Sequence, residues 1–163
     1  MEDTLIRPFD KISRRVKIEY LAPLSKLILR AQYNPSLVND MINDANISPD
    51  PVCSCHSPWD QRRNVHLVHF DTEISTQEVL DFFGDAGLRA GTVREYLELV
   101  AQHPTLRTLV PAISLGSTIH PYAVSAYNSF DERRLDLSNP HTGKWGWLGW
   151  FVAVDNSCKN YAE

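Results

Sequence analysis

Cys53-Ser54-Cys55-His56 is the most chemical-looking cluster in the chain. Thiolate and imidazole are soft ligands suited to zinc, but a structural zinc site takes four ligands, usually as pairs spaced two to four residues apart. Here a single residue separates the thiols, and a fourth ligand would have to come from His66 or His69. An ordered polar loop is therefore expected, with no metal and no cofactor. His66 and His69 stand three apart in an apolar run that reads as a strand, so they point to opposite faces and cannot chelate together. A hydrogen-bonded core histidine is the expected role. Asp71 and Glu73 could form a carboxylate pair for acid–base work, but Asp71 fits better as a turn former.

Nucleophiles fare no better. Gly84, Gly87 and Gly91 punctuate helices and do not form a phosphate loop after a strand. Ser114 and Ser117 flank Gly116, yet neither sits in a G-x-S-x-G elbow. No catalytic residue is assigned.

The aromatic residues carry more. Trp145, Trp147 and Trp150 lie close together, and Tyr122, Tyr127, Phe130 and Phe151 join them. Alternation along a strand starting at Trp147 puts Trp147, Gly149 and Phe151 on one side, with Leu148, Trp150 and Val152 on the other. Filling a small core is one use for such a group. The other is a binding surface, in which exposed aromatics are rimmed by His120, Arg133 and His141. The candidate ligand-binding residues are His120, Tyr122, Tyr127, Arg133, Trp145 and Trp147. On this reading at least one of Trp145 and Trp147 is exposed, and Trp150 is buried.

The elements that must position these residues are legible in part. Residues 1–20 mix charges without period and are expected to form a loosely held arm. Leu21, Leu24, Leu27, Ile28 and Ala31 make the stripe of a short amphipathic helix. Asn34-Pro35 suits the start of a second helix, with Leu37, Met41 and Ile42 on its buried side. Residues 48–64 read as a surface loop and 65–70 as a strand. Ser75 with Glu78 forms a capping box inside an Ile74–Val79 hydrophobic staple, and Thr92 with Glu95 forms a second box. These start helices reaching Phe83 and Gln102. Strands are then expected over 109–115, 122–127, 134–137 and 147–154. Helices followed by a mostly antiparallel sheet is the α+β pattern. The division expected is an arm over 1–20 and one α+β domain over 21–163, with a helical extension at 21–64 and a core at 65–155.

Composition narrows the function classes. The chain has 163 residues, 43% of them hydrophobic, enough to build one core without disulfide staples. A net charge of −4 and short basic runs with acids beside them argue against a nucleic-acid partner. No apolar run approaches the length of a membrane span, and the polar start MEDTLIRPFDK lacks a secretory signal's apolar stretch. Three cysteines are too few for a disulfide framework. A cytoplasmic protein is the expectation.

The block Leu88-Arg89-Ala90-Gly91-Thr92-Val93-Arg94-Glu95-Tyr96-Leu97 is similar to the "GxRxATxxELL" helix start of bacterial C-type-lectin-like folds, with Gly91 in place of the alanine. More specifically, the stretch from His69-Phe70-Asp71 to Val154 resembles a group of short uncharacterised bacterial proteins. That resemblance implies a C-type-lectin-like core in which strands and loops after the second helix carry recognition. It implies no activity. The calcium-loop and Trp-Asn-Asp motifs of sugar-binding members are absent, and so are the late cysteine pair of formylglycine-generating relatives and the paired disulfides of secreted ones. The expected function is a non-catalytic binding or interaction module whose partner is a protein or a small polar ligand, with self-association open. The alternatives are a metal-dependent or acid–base hydrolase, and a structural subunit of a phage or mobile-element assembly.

Overall fold

The computed structural model describes residues 8–47, 61–129, 132–140 and 143–156. Cys53, Cys55, His56, Phe130, His141 and Cys158 lie outside the described residues. The chain forms β1 (Pro8–Ile18), α1 (Leu24–Arg30), β2 (Gln61–Phe70), α2 (Thr76–Asp85), β3 (Leu88–Ala90), α3 (Val93–Gln102), β4 (Ala112–Ile119), β5 (Tyr122–Ser129), β6 (Glu132–Ser138) and β7 (Trp150–Asp155). All the strands join one sheet in the order β1-β2-β7-β4-β5-β6, with β3 on β7. Among the described strands, only the β4–β7 pair is parallel.

The α+β class holds, but the helices do not all precede the sheet. Within the stretch expected to be an arm, Pro8–Ile18 form strand β1. Their alternation carries Ile12, Val16 and Ile18 inward while Lys11, Ser13 and Arg15 stay out, and β1 pairs with β2 from Pro8 to Ile18. Charged residues along an edge strand discourage pairing with other chains. The helix expected after Asn34 shrinks to a single 3-10 turn, Pro35–Leu37, although Asn34 caps it by accepting from the Ser36 amide at 3.0 Å. Residues 61–64 belong to β2 and not to the preceding loop. The last strand begins at Trp150 because residues 145–149 are held as a turn.

One face of the sheet packs against α1 and α3, where Val65, Leu67, Val152 and Val154 meet Leu27, Val93, Leu97 and Val100. Helix α2 covers part of the other face, where Val68, Phe70, Phe151 and Ala153 meet Val79 and Phe83. Both capping boxes form: Ser75 Oγ accepts from the Glu78 amide at 3.1 Å, and Thr92 Oγ1 from the Glu95 amide at 3.3 Å.

Helix α3 is buried from Val93 through Val100, charged residues included. Such charges need partners, and they have them. Arg89 grips Glu95 with two contacts of 2.9 and 2.6 Å, and the Tyr20 hydroxyl donates to the same carboxylate at 2.6 Å. Arg30 donates to Glu98 at 2.6 Å. Arg94 donates to Asp44 and to the Ala22 carbonyl. Two glycines let β4 and β7 approach the start of α3. A Cβ on Gly91 would lie 2.3 Å from Val152 Cγ1, and one on Gly116 would lie 2.7 Å from the Gly91 carbonyl.

Candidate functional site: an aromatic groove beside α2

Helix α2 stops short of β5 and β6, and the turn at 145–149 forms a wall there. Two backbone bonds with Ile74, of 2.7 and 3.1 Å, anchor Trp145 at the start of this turn. The Trp145 indole donates to Thr76 Oγ1 at 2.9 Å and meets Phe151 edge-on at 6.2 Å. The Gly149 amide closes the turn on the Gly146 carbonyl at 3.2 Å. Between this wall and the sheet lies a cavity of ≈ 220 Å³, with Ile113 and Ser125 on its floor and Trp147, Leu148 and Ser138 around it. Ser125 Oγ and Ser138 Oγ lie 2.5 Å apart. Trp147 and Leu148 are each 55% exposed.

His69 holds the wall from the other side of the sheet. Its Nε2 donates to the Trp147 carbonyl at 2.7 Å, its ring stacks on Trp150 at 4.9 Å, and Phe9 packs edge-on against it at 5.5 Å. His69 is buried as a core imidazole would be. The alternation of β2 sends His66 to the face that α2 covers.

The sequence candidates fall in different places. Trp145 is 7% exposed and Trp147 55%, so one of the pair is open as expected. Trp150 is half-buried instead of buried, and Leu148 is exposed, because the strand alternation assumed from Trp147 starts only at Trp150. Tyr127 shares the groove's face through its β5 position, and its hydroxyl donates to Asp136 at 3.3 Å. Burial pushes the Tyr127 hydroxyl above its ordinary pKa, and the Asp136 carboxylate adds to that. His120 and Tyr122 sit at the β4–β5 turn, both exposed. Arg133 lies on the opposite face, in phase with Leu135, so the structure does not bring it to the groove.

Sequence reasoning missed Ile113, Ser125 and Ser138. Ser138 was read as part of a turn, and which face of the sheet stays uncovered depends on where α2 ends. A second hollow of ≈ 220 Å³ lies between α1 and the Pro35–Leu37 turn, without an aromatic lining. Among the described residues, no cluster of His, Cys, Asp and Glu could hold a metal ion, and no helix is long and apolar enough to cross a membrane. Comparison with protein-family models, with curated proteins and with solved structures gives no match to this chain.

Proposed function

We propose that this chain is a binding module, and that the groove beside α2 seats a flat apolar group carrying a polar atom. That group is either a small ligand or a side chain presented by a protein partner. The observation that carries this reading is the half-exposed Trp147 standing beside a formed cavity lined by the Ser125 and Ser138 hydroxyls. Single exposed apolar residues are common on any surface. Here an exposed tryptophan and leucine adjoin a hollow with convergent hydroxyls, the combination expected of a ligand site. At ≈ 220 Å³ the cavity is below the 300–1,000 Å³ range of drug-sized sites, so one ring or one side chain fills it. The lectin-like resemblance supports the placement, since recognition in that fold sits on the late strands and loops.

Titration with indole and phenol fragments, followed by two-dimensional amide and indole NMR, tests the reading. Saturable shifts confined to Trp145, Trp147, Ser125 and Ser138, and lost in Trp147→Ala, support it. Shifts scattered over the surface, or none at millimolar fragment, overturn it.

A further inference from the structure

At the other end of the α2 face, three side chains from three strands stand in line. Ser13 Oγ lies 2.6 Å from His66 Nδ1, and His66 Nε2 lies 2.7 Å from Asp155 Oδ1. A carboxylate only accepts, so a neutral His66 carries its proton on Nε2 and offers the Nδ1 lone pair to the serine hydroxyl. Asn64 Nδ2 donates to the second Asp155 oxygen at 2.8 Å, fixing the carboxylate. Strand register produces the alignment: Ser13 pairs with His66 across β1 and β2, and His66 pairs with Ala153, two residues before Asp155 on the same face of β7. Burial pushes the Asp155 carboxyl up, but the hydrogen bonds from Asn64 and His66 outweigh it and hold the group below its ordinary pKa. His66 is only 6% exposed, whereas Ser13 is open to solvent. A shielded base beside an accessible hydroxyl is the arrangement that activates a nucleophile.

We propose that Ser13 is a nucleophile activated by His66, with Asp155 and Asn64 as positioning residues, and that this edge of the sheet transfers acyl groups from small esters or thioesters to water. The proposal goes beyond the binding reading and stands without it. Trp150, which follows the groove-lining Gly149, and Asp155 at this cluster are the two ends of β7, roughly 17 Å apart at the rise of an extended strand. In the first step Ser13 Oγ bonds to the acyl carbon while its proton passes to His66 Nδ1. The bond from that carbon to the leaving oxygen or sulfur then breaks, and the leaving group takes the proton. Water repeats the attack with His66 as base, which releases the carboxylic acid and restores Ser13. Exposed Lys11 and Arg15 lie two positions either side of Ser13 on the same face of β1, and their charges favour the oxyanion. Two exposed side-chain cations are a looser cradle than fixed backbone donors. Esters and thioesters, whose leaving groups depart more readily than amines, are therefore the substrate class.

The test treats the full chain with a fluorophosphonate. An activated serine forms a phosphorus–oxygen bond with this reagent and expels fluoride. We expect one adduct, mapped to Ser13 by peptide mass, and none in Ser13→Ala. Asp155→Asn preserves shape but can turn the imidazole over, leaving a proton on Nδ1, so labelling should slow by at least about a hundredfold. Circular dichroism confirms that each variant is folded. Three results overturn the proposal: no adduct on the wild-type protein, labelling spread over other serines, or Asp155→Asn reacting as fast as wild type. None of these outcomes bears on the fragment shifts at the groove, so the two readings fail separately.

Discussion

The two faces of the sheet differ in how completely they are covered. Under α1 and α3 every residue from Val93 to Val100 is buried, and the charged ones are tied to Arg89, Arg30, Asp44 and Tyr20. On the other face α2 covers β2, β3 and β7, and leaves Trp147 and Leu148 beside an open cavity. Buried charge is tolerated only where geometry satisfies it, so the first face is rigidly specified and has little freedom to do anything else. The second face has spare surface, and both proposed sites lie on it.

Mutations can break this comparison. Glu95→Ala should cost most, about 3–5 kcal/mol, because it takes the acceptor from the half-buried Arg89 and the buried Tyr20 hydroxyl and removes half of the α3 capping box; the urea midpoint reads it. A loss under about 1 kcal/mol would mean that α3 does not depend on its charge pairs. Gly116→Ala should cost about 1–3 kcal/mol, since the added carbon meets the Gly91 carbonyl at 2.7 Å and backbone must move. Ser75→Ala removes the α2 cap and should cost about 1 kcal/mol. Trp147→Ala should change stability by less than about 0.5 kcal/mol, as surface substitutions usually do, while abolishing fragment binding. A large loss of stability in Trp147→Ala would move Trp147 into the core and close the groove reading.

Both capped helices could be read directly. Ser75 with Glu78 and Thr92 with Glu95 are local signals, in which side chain and backbone meet within a single turn. The apolar run of residues 65–70 and the period-2 pattern of 134–137 were also legible. β1 was missed because its inward residues, Ile12, Val16 and Ile18, are interleaved with four basic side chains, Lys11, Arg14, Arg15 and Lys17, that mask the alternation. The helix after Asn34 failed because the chain leaves its 3-10 turn to pair Val38 with Leu135 at the edge of β6. Trp150 was misplaced because residues 145–149 form a turn held by Ile74 and His69, two contacts invisible from the local pattern.

What the sequence determined by itself was the α+β class, the two helix starts, the clustering of tryptophans near the end and the separation of His66 from His69. All of these depend on neighbours within a few residues. The tertiary structure alone decided that Ser13, His66 and Asp155 meet, because they are far apart in the chain and only the register of β1, β2 and β7 aligns them. It also decided that Trp147 faces a cavity while Trp145 is buried, because α2 covers one end of that face and not the other. Strand register and the reach of a covering helix are set by the whole core, and a local pattern carries neither.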